Sequence, residues 1–458
     1  MPTIPKIVTL TNASVDVVNA IRNTASQNYR DHVPIATPDA DSIRSIGAII
    51  MDYPELQNEF LHALVNRIGR VILQSKLYSN PWAEFKKGMM EFGESIEEIF
   101  TEIAKPFQYD PAVAETNIFK REKPDVKSAF HVMNYQKYYK ASVEQARLRK
   151  AFLAWSGIDE LIASIVNAMY TAANYDEFLT MKYLLARHIL QGDLAVESIA
   201  DYTTVANTKS VVQTIKGVSN DLEFLSTKYN RAGVHNYSLK NDQYLIVNAK
   251  FDAQMDVEVL ASAFNMSKAE FMGRRVLVDS FGALDTARLA ELFADDTTYV
   301  PLTDAEIAAL DAIPAVIVDR DWFMVLDNLF EFTEDYNGEG LYWQYWYHAW
   351  KTFSVSPFAN AVMFVVGTPS VTSVTVSPAT ATVSAGQSIQ LGATVVTANF
   401  ESQAVKWTAT SEDTEDFTIS SSGVLRVGST VTADDEITVT ATSVADGTKS
   451  DSATITVA

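Results

Sequence analysis

Residues 340–353 read GLYWQYWYHAWKTF, a run in which aromatic side chains follow one another closely. In an extended chain Trp346 and Trp350 would share one face, whereas Trp343 and Tyr345 would lie on the other. Aromatic residues favour the pleated surface of a sheet, and a strand without a polar face is typical of the middle of a sheet. The run therefore predicts a central strand that is buried on both faces.

Helical periodicity is clearest between residues 151 and 190. The first part reads AFLAWSGIDELIASIVNAMYTAANY and places apolar residues such as Ile158, Ile162 and Ile165 three or four positions apart. The same spacing continues through Leu184 and Ile189. A pattern of this length exceeds the usual globular helix and predicts one long helix that supports the domain.

Shorter elements are predicted to alternate between residues 196 and 366. A helix is expected at residues 256–264, with Asp256 at its N-terminal end, where a carboxylate is favourable. Short β-branched runs predict strands at residues 244–249, 276–279, 315–318 and 361–366. Helices mixed with strands in this way predict an α+β fold.

The composition changes abruptly at residues 367–370, which predicts a linker. From residue 368 to residue 458, 33 of 91 residues are Ser or Thr, and β-branched runs alternate with turn signals such as Ser422-Gly423. Seven or eight short strands at this spacing predict a β-sandwich with Trp407 in its core. A disordered Ser/Thr-rich tail is the alternative, and the regular alternation disfavours it.

Two other parts of the chain have a different texture. Residues 1–10 are predicted to be an extended arm, and helices are predicted at residues 15–25 and 56–71. Residues 73–150 contain 13 Lys and Arg against 11 Asp and Glu, with many aromatic residues and prolines. This near-neutral segment without strong helical periodicity predicts a long, hairpin-like excursion with charged edges.

Composition excludes several classes of protein. The chain has 458 residues and a net charge of −21, which argues against general binding of duplex DNA and against an anionic membrane surface. It has no cysteine, which removes disulfides, thiolate metal sites and Cys nucleophiles. We find no secretory signal and no apolar run long enough for a membrane span, so we expect a protein that is made in the cytoplasm.

Catalytic motifs are missing from the sequence. The six histidines show no metal-ligand spacing, and neither a phosphate-binding glycine loop nor a GxSxG nucleophile motif occurs. The carboxylates from Glu94 to Glu102 are interpreted as a solvated helical face, and the Asp319–Asp321 segment as an ion pair at a strand edge. Acidic loops of the sandwich leave calcium binding open as a weaker alternative. We therefore predict no enzyme and no catalytic, cofactor-binding or metal-binding residues.

Several segments, taken in order, resemble the major capsid proteins of the small phi-29-like podoviruses, which have the HK-97-like capsid fold. They are residues 16–22 (DVVNAIR), 85–103, 155–170, 321–329 (DWFMVLDNL) and 340–364. Residues 371–457 resemble a bacterial immunoglobulin-like group 2 domain. It opens with VTSVTVSPATATVSAGQSIQL, contains VKWTATSED and closes with ITVTATSVADGTKSDSATITV.

The resemblance implies a domain map. Residues 1–366 would form the capsid domain and residues 371–458 the immunoglobulin-like domain. Within the capsid domain the parts would be an arm (1–50), an extended loop (about 74–145), a spine helix (about 151–190), an axial domain (about 197–300) and peripheral strands (about 315–366).

The resemblance also implies function and partners. The protein would assemble with copies of itself, as pentamers and hexamers, into an icosahedral or prolate head. Scaffolding and portal proteins would be partners, double-stranded DNA would be enclosed without sequence recognition, and the C-terminal domain would contact host surface glycans. The expected location is the virion, after assembly in the host bacterial cytoplasm. A bacterial cell-surface adhesin or carbohydrate-binding protein is the alternative, and the missing export signal disfavours it.

An extended loop with mixed charges suits pairing between copies, because complementary charges set register. The candidate subunit contacts in this loop are Trp82, Lys86, Lys87, Glu94, Glu97, Glu98, Lys120 and Arg121.

Overall fold

The computed structural model describes residues 10–37, 40–52, 56, 77–90, 95–110, 120–143, 155–202, 204–260, 274–340, 342–412 and 416–458. The chain divides into two compact units, Met1–Ser75 and Lys76–Ala458. The second unit contains both the α+β body and the C-terminal strands.

The first unit is helical where it is described. Its helices are α1 (Leu10–Thr24), α2 (Gln27–His32) and α3 (Ala40–Asp52). Ile21 and Tyr29 are fully buried between them, and the Ser26 side chain caps α2 by accepting from the Tyr29 N–H. The helix predicted at residues 15–25 is confirmed, whereas the extended segment before residue 10 and nearly all of the helix at 56–71 lie outside the described residues.

In the second unit a long helix follows a group of strands. The helices of the body are α4 (Trp155–Leu190), α5 (Val205–Asp221), α6 (Ala249–Leu260), α7 (Thr286–Leu292) and α8 (Asp304–Asp311). Its strands are β1 (Lys86–Met89), β2 (Ser95–Thr101), β3 (Val126–Val132), β4 (Tyr135–Val143), β5 (Ala195–Ile199), β6 (Gln243–Asn248), β7 (Arg274–Val278), β8 (Ala315–Asp319), β9 (Phe323–Asn337), β10 (Tyr342–Val355) and β11 (Ala361–Val366). Helix α6 begins before the predicted helix, and Asp256 lies inside it and not at its N-terminus.

A five-stranded sheet, ordered β5-β11-β8-β6-β7, forms the core of the body. Alternate residues of β8 face two separate clusters: Val316 packs with α4, and Ile317 packs with α5 and α6. Both faces are therefore covered, which explains why the sequence of β8, AVIVD, is apolar almost throughout.

The aromatic run forms β10, in the middle of a second sheet ordered β1-β9-β10-β4. Tyr345 is buried and packs with Met169 of α4, so one face is covered as predicted. Trp346 and Trp350 lie on the opposite face and are only half-buried. The strand is central, but the expectation that both of its faces are buried is wrong along this stretch, because α4 covers one side only.

Charged groups join α4 to this second sheet. Glu177 of α4 is 2% exposed and pairs with Lys351 of β10, which is equally buried. Lys86 of β1 lies 3.0 Å from Glu177 and 2.6 Å from Asp327 of β9. Asn80 donates a further hydrogen bond of 2.5 Å to Glu177. We call these five residues the buried ion cluster.

The ionisation of Glu177 follows from its neighbours. Burial alone would raise the pKa of its carboxyl group, but Lys351 and Lys86 outweigh burial and lower the pKa below the ordinary value. Partial burial alone would lower the pKa of the Lys86 ammonium group, but Glu177 and Asp327 outweigh burial and raise this pKa above the ordinary value. Glu177 and Lys86 are therefore held in their charged forms at neutral pH.

We predict that Glu177→Gln lowers the free energy of unfolding by about 3 kcal/mol, because two lysines lose one of their two buried carboxylate partners. Urea denaturation at pH 7 measures the change. Glu334→Gln, which removes an exposed carboxylate from the same sheet, should stay within about 0.5 kcal/mol of the parent protein. Equal effects of the two substitutions would contradict the role assigned to the cluster.

The described C-terminal segment is all-β, as predicted, with nine strands where seven or eight are predicted. They are β12 (Ser370–Ser377), β13 (Thr380–Val383), β14 (Ser388–Gln390), β15 (Gly392–Ala398), β16 (Val405–Thr410), β17 (Phe417–Ile419), β18 (Val424–Val427), β19 (Glu436–Ser443) and β20 (Ser450–Val457). They form small sheets around an apolar core that includes Leu425 and Ile455, as a sandwich requires. Trp407 is half-buried against this core, where Gly423, with a φ of +81°, leaves room for its ring.

The sandwich contacts the body directly. Phe400, at the end of β15, packs against the cluster that contains the end of α4, and Gln403 donates to the Leu190 carbonyl at 3.2 Å. Gly192 follows α4 with a φ of +69°, and a Cβ atom there would lie 2.7 Å from the Glu401 carbonyl. Phe400 itself has a φ of +60°, which is unfavourable for a bulky residue. The strained backbone is offset by the apolar contact that it allows.

We expect Phe400→Ala to loosen the sandwich from the body and to lower the stability of the full chain by about 2 kcal/mol. Limited proteolysis should then cut faster at residues 367–369, and thermal unfolding should begin earlier. Phe224→Ala serves as the control, because that ring is largely exposed. An unchanged cleavage rate in Phe400→Ala would show that the contact does not fix the sandwich.

Candidate subunit-contact surface

Strands β2 and β3 form an antiparallel hairpin that is not part of either sheet of the body. Residues 95–101 read SIEEIFT and alternate between exposed and half-buried side chains, as do the paired residues of β3. The hairpin therefore has one face toward the body and one face toward solvent.

The inward face is attached to the body through His131. This imidazole is 2% exposed and lies 3.2 Å from Glu98 of β2 and 2.8 Å from the Ser354 hydroxyl of β10. Ser356 donates to the other oxygen of Glu98 at 2.7 Å. Both strands of the hairpin are thus tied to the end of β10 by polar contacts.

A second attachment lies at the far end of the strands. Glu102 receives hydrogen bonds from the His235 backbone and lies 2.6 Å from the His235 ring. Lys127 donates to the Ala232 carbonyl at 2.9 Å, and the Phe100 ring stacks on Phe358 with centroids 5.5 Å apart. With attachments at both ends, the orientation of the hairpin is fixed.

The outward face carries apolar residues that have no cover within the described chain. Ile99, Phe130 and Val132 are 60%, 66% and 55% exposed. Val126 lies on the same face. We call these four residues the contact face. Apolar groups gathered on one side of a fixed hairpin are typical of a protein interface.

A cavity of about 310 Å³ lies beside the hairpin, lined in part by His131, His188 and Trp322. Its imidazoles are already engaged, since His188 lies 2.7 Å from Asp193, which also pairs with Arg231.

Three of the residues predicted to contact other subunits lie in or just before β1, where the chain leaves the body toward the hairpin. Trp82 is fully buried in the body, edge-on to Phe178 at 5.4 Å, so its side chain offers no surface to another subunit. Lys86 belongs to the buried ion cluster. Lys87 pairs with Asp321, which is the ion pair actually formed by the Asp319–Asp321 segment, while Asp319 is buried and accepts from Ser238.

The remaining candidates lie on or beyond the hairpin. Glu94 falls outside the described residues. Glu97 is exposed on β2 and points away from the body, whereas Glu98 points toward it. Lys120 and Arg121 are exposed before β3. The expected helical face at residues 94–102 is wrong, because the described part of this segment is the strand β2.

The apolar residues of the contact face were missed by sequence reasoning, whose candidates in this segment are charged residues and one tryptophan. The sequence does contain a strand pattern, because Ile96, Glu98 and Phe100 would lie on one face of an extended chain. Glu97 and Ile99 would lie on the other face. A second strand of similar alternation, VKSAFHV, follows about 25 residues later. Together they are typical of a hairpin with two different faces.

Within the described ranges, no group of three or more His, Asp or Glu residues is arranged to hold a metal ion. Among the helices of those same ranges, none is long and apolar enough to cross a membrane.

The pH response of the hairpin attachment can be predicted from Glu102. Burial by itself raises the pKa of this carboxyl group, but hydrogen bonds from the Ile103 N–H and from His235 outweigh burial and lower the pKa below the ordinary value. Because the pKa of Glu102 is lower in the folded than in the unfolded state, its carboxylate stabilises the folded state at a pH above the unfolded-state pKa. This stabilisation is lost as the pH falls through the folded-state pKa.

We therefore expect amides of β2 and β3 to be better protected from hydrogen exchange in the parent protein than in Glu102→Gln at pH 7. The difference should shrink as the pH falls below the ordinary glutamate pKa of about 4.3 and disappear below the lowered pKa that Glu102 has in the folded protein. Glu97→Gln, an exposed change on the same strand, should show no such difference at either pH. A difference that persists at low pH would exclude the charge of Glu102 as its cause.

Solved structures with the same fold are phage capsid proteins. The capsid structure of Staphylococcus phage Andhra aligns with a TM-score of 0.53 at 14% identity, over 66% of this chain and 88% of that chain. A chain in the structure of the head fiber and inner core protein gp22 of native bacteriophage P68 aligns with a TM-score of 0.52, also at 14% identity, over 66% and 88%. The body therefore has the HK-97-like capsid fold, with a C-terminal all-β sandwich.

The family is shown by sequence. A model of the Phi29-like phage major capsid protein matches residues 18–365. The major capsid protein of Bacillus phage B103 is 38% identical over 436 residues, covering 94% of this chain and 90% of that protein. That of Bacillus phage PZA is 37% identical over 400 residues, covering 86% and 82%. The chain belongs to the Phi29-like phage major capsid protein family, and it is a structural protein of the phage head.

Proposed function

We propose that the contact face of the β2–β3 hairpin is a surface through which one copy binds the next in the shell. The observation that supports this is the contrast between its two faces: Ile99 and Phe130 are exposed, while His131 and Glu98 hold the opposite face to the body. A face that is held rigid loses little conformational entropy on binding. Lys120 and Arg121, together with Glu97, are proposed to set the register of this contact.

Repeated over many copies, such contacts would close a shell of pentamers and hexamers, icosahedral or prolate, because weak contacts add up when geometry lets them act together. A net charge of −21 supports a shell that encloses double-stranded DNA without recognising its sequence. Scaffolding and portal proteins are proposed as further partners, and membership of the family is the support for them.

We also propose that residues 371–458 are a bacterial immunoglobulin-like group 2 domain on the outer side of the shell, in contact with host surface glycans. The Ser/Thr-rich strands and the scarcity of basic residues support a neutral polar ligand. The contact of Phe400 with the body would hold this domain at a constant angle.

Sedimentation and negative-stain electron microscopy at rising protein concentration test the proposed contact. We expect the full chain to form rings, tubes or shells, and Ile99→Ser with Phe130→Ser to reduce the assembled fraction at least tenfold. Both side chains are exposed in the single chain, so the free energy of unfolding should change by no more than about 0.5 kcal/mol.

Val444→Ser with Phe224→Ser is the matched control, because it removes two exposed apolar side chains from other surfaces. Assembly of the hairpin variant at the parental level would refute the contact face. A parent protein that stays monomeric at every concentration would instead refute assembly without a helper protein.

A further inference from the structure

Among the described residues, the sheet that contains β10 ends in two open edges. Strand β1 pairs with β9 only as far as Asp327, so residues 330–337 of β9 pair with β10 alone among the described residues. On the other side of β10, strand β4 likewise pairs with β10 alone. Unpaired N–H and C=O groups along an edge form a template for a strand from another chain.

The β9 edge is acidic. Residues 330–340 read FEFTEDYNGEG and contain four carboxylates and no basic residue. Glu331, Glu334 and Asp335 are exposed, and none of them forms an ion pair with a described residue. Carboxylates on an edge prevent this strand from pairing with the same strand of another copy, because like charges would meet.

The β4 edge is basic. Residues 135–143 read YQKYYKASV and contain Lys137 and Lys140 but no acidic residue. The Lys140 ammonium lies over the Trp346 ring, on the sheet face that also carries Glu331 and Asp335. Lys137 lies on the other face, the one that carries Glu334. Opposite charges therefore stand on matching faces of the two edges.

Length and direction also fit. The free part of β9 has eight residues and β4 has nine, and both strands run antiparallel to β10. A neighbouring copy with its sheet in the same plane would thus present its β4 parallel to β9. On the α4 side, Phe332 and Tyr336 are partly exposed at the β9 edge, so a neighbouring strand would cover apolar surface as well.

We propose that the acidic edge of β9 in one copy pairs with the basic edge of β4 in a second copy, so that the sheet continues from subunit to subunit. Two different edges meet in this contact, so it is heterologous, and a heterologous contact closes into a ring when its rotation permits. The proposal rests on self-assembly as proposed above, and it adds a second contact that is independent of the hairpin.

Charge reversal tests the pairing in the full chain. Glu331→Lys with Asp335→Lys should reduce the assembled fraction at least tenfold by sedimentation, and Lys137→Glu with Lys140→Glu should do the same, since like charges across an interface oppose association. All four substitutions together should restore assembly, because the two edges are again opposite in charge. Glu223→Lys with Glu412→Lys makes the same change in net charge away from both edges and should assemble like the parent protein.

Disulfide trapping provides a second measurement. Because the chain has no native cysteine, only the introduced cysteines can form disulfides. Thr333→Cys is combined with either Tyr138→Cys or Ser142→Cys, so that two registers are sampled. Within one chain these positions are separated by β10, which places them about 10 Å apart, too far for a disulfide. Oxidation should give a ladder of covalent oligomers, and each single variant should give none.

The outcomes separate the two proposals. If the parent protein assembles, but the charge reversals also assemble and neither cysteine pair gives a ladder, edge pairing is wrong and the hairpin contact stands. If the parent protein forms no oligomer at all, the assembly without a helper protein on which edge pairing rests is itself wrong.

Discussion

The interaction on which the body depends is the buried ion pair between Glu177 and Lys351, joined by Lys86 and Asp327. These four residues come from α4, β10, β1 and β9, so the cluster connects the long helix to three strands at one point. Charges buried this deeply are tolerated only when each has partners in correct geometry. A shift of α4 along the sheet would separate Glu177 from Lys351 and Lys86 and leave buried charges without partners, which disfavours other positions of this helix.

The two sheets of the body have different physical roles. The sheet around β8 is covered on both faces and supplies much of the apolar core. The sheet around β10 is covered on one face by α4, while residues 330–337 of β9 and strand β4 pair with β10 alone among the described residues. A structural protein needs surfaces of this second kind, because assembly uses the groups that folding leaves unsatisfied.

The β2–β3 hairpin is held in place by contacts with the body. The near-neutral charge and the lack of strong helical periodicity predict an extended, hairpin-like segment between residues 73 and 150. The structure has a separate two-stranded hairpin there. An isolated hairpin is marginal in water. Here His131 and Glu98 contact Ser354 and Ser356 of the body, and Glu102 contacts His235, so the hairpin is attached to the body at both ends. The apolar contact face is consequently presented in one orientation.

Candidate contacts could be predicted only in part from the sequence. Exposed Glu97, Lys120 and Arg121 lie on or beside the hairpin, whereas Trp82 and Lys86 are buried within their own subunit. Charge and aromatic character are the same in a core and at an interface, so local sequence does not distinguish the two. The helical face predicted for the Glu-rich run at residues 94–102 is wrong because short polar runs carry a weak periodicity signal.

The sequence by itself determined the elements whose signal is local. Short β-branched runs separated by turn residues predicted the strands of the sandwich. Helical spacing of apolar residues predicted α4, and the aromatic run predicted β10. Only the tertiary structure decided which faces are covered, that Phe400 packs against the body, and that the two sheet edges carry opposite charge. These properties depend on contacts between residues far apart in the chain, and such contacts leave no periodic trace in the sequence.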